Sequence, residues 1–408
     1  MRLFIVFASI LLSVNIDASE VSDSRPPGVT GETWQFGPLN RWAYTHIREI
    51  LPTKNIANNP SFIQPIPGIE EAKKDLQINF DGQSVLLSEL MKSQFIDGIL
   101  IIKNGTAMVE LYGGTLKPNR THLMWSVSKT IAGLTAASVE ADGLINLSNT
   151  VGDYVPELTN SGWGENTLRE ILDMRDSSNW VEDYDSPEST VRRQDCADGL
   201  LTGPMCIDTA VIGNYKFLPA VGKEASRKGK FVYKSGTADV MAWVLEAATG
   251  KRYADLVSER LWKPIGAESN AGITVDVSGF TLASGGMFAS LRDTAKIGQL
   301  ILNKGQAGKT QVVPENWIND MTDQPGDNSI MPLGSESINP YYRSFIWGIG
   351  DGEGTVLANG VHGQFVYISP KTGVVITIFS TWPNADGGAP EVGLENAMEI
   401  IEAIKNSI

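Results

Sequence analysis

The sequence predicts an α+β protein in which one antiparallel sheet is built from both ends of the chain, flanked by helices, with a helical region inserted between. Two observations carry this. "FIDGILIIKNGTAMVELYGG" (95–114) holds two apolar runs joined at Asn104-Gly105, the strongest short signal for a hairpin. After residue 340 strand-like runs return, whereas the intervening chain shows helical periodicity broken by loops.

The 408 residues, 42% of them hydrophobic, suffice for a large core. At roughly 150 residues per domain they allow two or three structural units, or one large domain with an insertion. We read the chain as a signal peptide over 1–18, an N-terminal extension over 19–85 and one domain over 86–408, with the helical region at about 131–290 inserted. The formal net charge of −14 argues against partners held through phosphate, whether nucleic acid or an anionic membrane.

In order, the start has Arg2, an apolar run from Leu3 to Val14, then Ala18 and Ser19. That run is too short to span a bilayer and fits a secretory signal cleaved after Ala18; a buried N-terminal strand is the other possibility. No cysteine stands directly after it, so a lipid anchor is not expected, and the expected location is secreted or periplasmic. Residues 20–80 are rich in Pro and Asn with one amphipathic piece, "NRWAYTHIREIL", and read as an extension wrapping the body. After the hairpin, "KTIAGLTAASVEADG" is a small-residue helix ending at Gly143. The only cysteines, Cys196 and Cys206, share one loop, and both a disulfide and two free thiols are open. "TADVMAWVLEAATG" is a helix stopped by Gly250, and "SLRDTAKIGQLILNKG" opens with Ser290 and Asp293 at capping spacing. The strands "RSFIWGIG", "GVHGQFVYIS" and "GVVITIFSTW" follow, the last two joined by a turn at Pro370–Gly373, and "LENAMEIIEAIKN" closes the chain as a helix. The glycines of "WGIGDGEGT" lack the G-x-G-x-x-G spacing and read as a strand-to-strand turn. Three histidines without metal-ligand spacing imply neither a metal nor a cofactor.

Chemistry centres on "WSVSKT" (125–130). No G-x-S-x-G occurs, so a nucleophile elbow has no candidate. Ser126 and Lys129 stand three apart and share a helix face, whereas Ser128 and Lys129 diverge. At a helix start Ser126 also lies near unpaired N–H groups that favour an oxyanion. Lys129 must then be partly neutral, and lowering its pKa from about 10.4 to near 7–8 takes roughly 3–4 kcal/mol of differential stabilisation. On its own S-x-x-K is a chance-level match, with Ser126 as a simple helix cap its plain alternative. "FVYKSGTADVMAWV" adds Tyr233 and Ser235 just before a helix, where a phenol could relay the serine's proton to a leaving group.

S-V-S-K, Y-K-S and a late H-G, in that order, resemble the serine β-lactamase and penicillin-recognising family, nearest its class C, family VIII esterase and 6-aminohexanoate-dimer (nylon-oligomer) hydrolase branch. "NRWAYTHIREILP", "MWSVSKT", "DYVPEL", "ILDM", "EDYDSPES", "ADVMAWV", "ITVD", "HGQ" and "STWPN" carry the likeness across most of the chain beyond the signal. The resemblance implies a β-lactamase/penicillin-binding-protein-like fold and a serine hydrolase acting on a small amide or ester through an acyl-enzyme. It makes Ser126 the nucleophile, Lys129 and Tyr233 the acid/base pair, and Ser235 the counterpart of the asparagine in Y-x-N. Tyr184 and Asp195 would line the substrate cleft, Asp195 facing a substrate ammonium unless it is a solvated loop aspartate. Val361-His362-Gly363 would replace the usual K-T-G, with Gln364 offering the second oxyanion N–H; the literal K-T-G at Lys371-Thr372-Gly373 reads as a β-turn. Loss of that lysine weighs against efficient penicillin hydrolysis. The rival readings are a family VIII carboxylesterase, a D-amino-acid amidase or peptidase, and a non-catalytic sensor of muropeptides or β-lactams that acylates without turnover.

Overall fold

Asn104 and Gly105 both take positive φ (48° and 79°), as the two-residue hairpin signal demands, and join β1 (Ile96–Lys103) to β2 (Thr106–Tyr112). The computed structural model describes residues 23–408 apart from 73, 208 and 389–391, so the expected signal segment lies outside the described residues. Five strands from the other end of the chain complete the sheet: β3 (Tyr341–Arg343), β4 (Ile346–Gly348), β5 (Val356–Gly360), β6 (Gln364–Ser369) and β7 (Val374–Ser380). The order is β3-β4-β5-β6-β7-β1-β2, antiparallel throughout, with β7 paired to β1 from Val374↔Lys103 to Ser380↔Ile96. The two chain ends therefore meet in one sheet, as expected.

β6 and β7 are buried at every position, and β1 at all but its last, because both faces of the sheet are covered. Ile99 and Ile101 of β1 join Ile376 and Ile400, Ile401 and Ile404 of the C-terminal helix in one cluster. Leu100 and Ile102 point the other way, into a cluster with Val375 and with Ile297 and Leu300 of the helix Leu291–Leu302.

Three helices beyond the sheet position the site: α1 (Val127–Ala141), α2 (Thr190–Ala197) and α3 (Ser235–Thr249). α1 is buried along nearly its whole length, and its small residues allow close approach: a Cβ on Gly133 would lie 2.3 Å from the Ser344 carbonyl oxygen. Gly250, at φ 67°, ends α3 where the sequence places its stop. Cys196 and Cys206 form a disulfide that ties the end of α2 to the following loop.

Two expectations change. The region at about 131–290 is not wholly helical: Ala271–Thr274 and Met287–Ala289 are strands of a second, four-stranded sheet with Thr53–Ile56 and His122–Leu123. Its strands have two to four residues each, too few for an alternation to register, and one comes from the extension. Nor is residues 19–85 only a wrapper. Ile56, Ile66 and Ala72 belong to the main core, and Trp34, Trp42 and Tyr44 pack on Leu123 and Phe288. Arg41 Nε lies 3.1 Å from Asp97 Oδ1 of β1, and Asn40 Nδ2 donates to the Trp382 carbonyl at 2.8 Å.

Candidate active site

Ser126 occupies the N-cap position of α1, but its hydroxyl makes no capping bond. It faces Lys129 instead, whose Nζ lies 2.7 Å from Ser126 Oγ. The i,i+3 geometry thus brings the pair together, and the simple-cap alternative fails. Ser128 turns away and accepts the Met287 N–H at 3.1 Å, tying α1 to the small sheet.

Lys129 is 1% exposed. Its Nζ also donates to Ser235 Oγ at 3.1 Å and to the Ser284 carbonyl at 2.6 Å. Among the described residues no carboxylate bonds it directly. Burial lowers its pKa to about 8, against the opposing pull of Glu182 and Asp239. Both acids act through an intermediary. Asp239 Oδ1 accepts the Ser284 N–H at 2.8 Å, its Oδ2 accepts Gln194 Nε2 at 2.7 Å, and burial raises its own pKa to about 6. Glu182 gathers four donors: Trp180 Nε1 at 2.5 Å, Ser235 N at 2.8 Å, Ser235 Oγ at 2.5 Å and Tyr184 Oη at 2.5 Å.

Tyr233 precedes α3 and packs flat on Trp347, ring centroids 5.4 Å apart, with Lys129 Nζ 5.1 Å from its own ring centre. Burial pushes its phenol well above the ordinary value, hydrogen bonding with Ser126 opposing, so it stays protonated where Lys129 titrates. Lys234 of the same Y-K-S serves structure: its buried Nζ binds the Asp176 carbonyl at 2.6 Å and Asp176 Oδ1 at 2.9 Å.

Ser126, Tyr184, Asp195, Ser235 and His362 all line one cleft. Gln364 does not. Its carboxamide is buried, donating to the carbonyls of His362 at 2.9 Å and Ser380 at 2.6 Å, and it pairs with Gly360 across the β5–β6 hairpin. From that hairpin Val361 and His362 reach the cleft instead. β5 passes so close to α1 that a Cβ on Gly360 would lie 3.0 Å from Ser126 N. Among the described residues neither Ser126 N–H nor Val361 N–H has a hydrogen-bond partner. His362 takes φ 59° and donates Nδ1–H to the Trp382 carbonyl at 2.8 Å; burial lowers its pKa to about 4, so it is neutral. Asp195 is no solvated loop residue: it sits in α2 with Oδ2 3.0 Å from Arg192 Nη1, and burial raises its pKa to about 6 against the pull of Arg192. Lys371-Thr372-Gly373 forms the β6–β7 turn, Lys371 pairing with Glu353 at the surface.

Sequence reasoning missed Glu182, Asp239, Ser284, Gln35 and Arg192, and it placed Val361 on the cleft wall without singling out its N–H. Asp239 had a signal: it stands one turn after Ser235, an acid on the buried face of an otherwise apolar helix. Glu182 lies inside the quoted "EDY". Gln35, from the extension, had none.

The β-lactamase family profile matches residues 86–395. The chain belongs to the β-lactamase family. It is 32% identical over 369 residues to the 6-aminohexanoate-dimer hydrolase of Paenarthrobacter ureafaciens, covering 88% of this chain and 89% of that one. A solved Bacillus anthracis structure provisionally named 6-aminohexanoate-dimer hydrolase superposes with a TM-score of 0.79 at 27% identity, over 93% of this chain and 95% of that one. EstCE1, a hydrolase with promiscuous acyltransferase activity, shares the fold at 14% identity and TM-score 0.59, over 78% of this chain and 96% of that one. The protein is thus a serine hydrolase of this family, similar to 6-aminohexanoate-dimer hydrolase.

Replacing Glu182 by Ala strands the donors it gathers, one of them the buried hydroxyl that contacts Lys129. Chemical denaturation is expected to show a loss of about 1–3 kcal/mol; an unchanged midpoint would mean that water satisfies those groups equally well.

Proposed function

We propose that this hydrolase cleaves a small amide or ester by acyl transfer through Ser126. The carrying observation is the 2.7 Å contact between Ser126 Oγ and a lysine whose burial holds it near pKa 8. At neutral pH about a tenth of such a lysine is uncharged. In that form its lone pair accepts the Ser126 proton while Oγ attacks the substrate carbonyl. The tetrahedral oxyanion rests on Ser126 N–H and Val361 N–H, the latter replacing Gln364 in that role. Tyr233, kept protonated by burial, delivers a proton to the departing nitrogen or oxygen as the C–N or C–O bond breaks, and is reprotonated from Lys129. Water then attacks the ester, and the same groups return the proton to Ser126. The named relative supports an amide of modest size. Tyr184, Asp195, Ser235 and His362 shape the cleft, and no step calls for a metal or cofactor.

Ser126→Ala is expected to lower turnover by at least about 10³-fold on p-nitrophenyl esters and on the 6-aminohexanoate linear dimer, with Ser128→Ala much milder. The reverse ranking would sink the assignment.

For wild type, kcat/KM is expected to rise with pH and level off above about 8, the neutral lysine being the active form. Asp239→Asn removes a charge that favours the lysinium, so its rising limb should move toward acid. A limb that stays put or moves toward alkali would exclude Lys129 as the titrating base.

We further propose export by the segment 1–18. N-terminal sequencing of the exported protein should begin at Ser19; a cell-retained chain beginning at Met1 would refute it.

A further inference from the structure

One part of the cleft wall holds donors that no described residue satisfies. Arg192 of α2 is only 3% exposed, yet it lines the cleft. Its Nε donates to the Tyr184 carbonyl at 2.6 Å, and Nη1 donates to Gln35 Oε1 at 2.9 Å and Asp195 Oδ2 at 3.0 Å. Those bonds use three of the five guanidinium N–H groups, and the Nη2 pair has no partner among the described residues. Beside it, Gln35 spends Oε1 on Arg192, while its Nε2 is buried and unpartnered.

Buried polar groups are ordinarily paired, so a buried Gln35 donor left unpartnered beside the open Nη2 of a guanidinium at the cleft points to an acceptor that arrives with the substrate. The guanidinium is held for such a guest: the Phe36 and Tyr184 rings pack at 5.6 and 5.4 Å from its centre, and Asp195 fixes one edge. A planar fork with one free nitrogen, backed by a carboxamide N–H, suits a carboxylate. Asp195, with one oxygen committed to Arg192, is poorly placed to serve a substrate ammonium as well.

We propose that Arg192 and Gln35 form a subsite for a carboxylate borne by the substrate, and that Asp195 is a positioning residue for the guanidinium. The proposal rests on the Ser126 reading, which fixes where the scissile carbonyl lies. Either the acyl half or the leaving half could bring the carboxylate, and the two are separable.

The experiment compares kcat/KM within matched pairs. p-Nitrophenyl butyrate against mono-p-nitrophenyl glutarate places the charge on the acyl side; phenyl butyrate against 3-(butyryloxy)benzoate places it on the leaving side. Wild type should favour the carboxylate member of one pair by about tenfold or more, chiefly through KM, as a charge-assisted hydrogen bond allows. Gln35→Glu keeps an acceptor for Arg192 but turns the open donor into a negative oxygen, and should bring that ratio to about one or below; Arg192→Met should do likewise. If Arg192→Met does not fold, Gln35→Glu decides alone. No carboxylate preference in either pair, or an unchanged ratio in Gln35→Glu, would each overturn the subsite. Ser126→Ala keeps the two readings apart: full turnover in that variant sinks the acyl-enzyme assignment, whereas an inactive variant alongside an indifferent wild type sinks the subsite alone.

Discussion

Everything in the site depends on one buried amine. Lys129 is surrounded by Ser126 Oγ, Ser235 Oγ and the Ser284 carbonyl, none of them charged. A carboxylate in direct contact would hold the lysine as an ammonium with no lone pair to offer. The protein instead keeps its two nearby acids one hydrogen bond away, Glu182 behind Ser235 and Asp239 behind Ser284. Desolvation then outweighs their attraction, and the amine titrates near 8 rather than above 10. The acids still steer it, since each aims a group that Lys129 touches.

That arrangement constrains the fold around it. The lysine can be dry only if α1 is buried, and α1 can be buried against the sheet only because residues such as Gly133 let the Ser344 backbone come close. α3 must start at Ser235, whose N–H and hydroxyl both point at Glu182. β5 must run against the helix start, which Gly360 allows, and this leaves Ser126 N–H and Val361 N–H open on one side. A helix, a sheet and a loop meet at one serine because each supplies a group that the others cannot.

Legibility in the sequence follows the range of the interaction. Ser126 and Lys129 are three residues apart, so helical geometry alone selects the pair and sets Ser128 aside. The hairpin at Asn104-Gly105 and the apolar runs at 364–369 and 374–380 were readable because turn chemistry and burial write themselves locally. The small sheet was not: its strands lie up to about 230 residues apart in the chain and have two to four residues each. Gln364 was misassigned by one hairpin. The residue after H-G looks like the next on a cleft-facing strand, but the chain turns at 361–363, so the open N–H belongs to Val361 and the glutamine side chain props the turn from behind. Gln35 was invisible because nothing near it in sequence betrays that it meets Arg192.

Placement also decides what a motif means. Lys371-Thr372-Gly373 spells the family's sequence but lies at the far turn of β6–β7, its lysine paired with Glu353 at the surface. The cleft-facing turn carries His362 instead, neutral because burial and the nearby Arg192 charge both disfavour its protonation. With that wall uncharged and Lys129 needed in neutral form, Arg192 is the fixed cation among the described cleft-lining residues. Its charge is balanced by Asp195 on one edge and left open on the other. The charges that act on Lys129 are those of Glu182 and Asp239, while Arg192 is paired with Asp195. The same guanidinium can therefore receive a substrate and leave the base free.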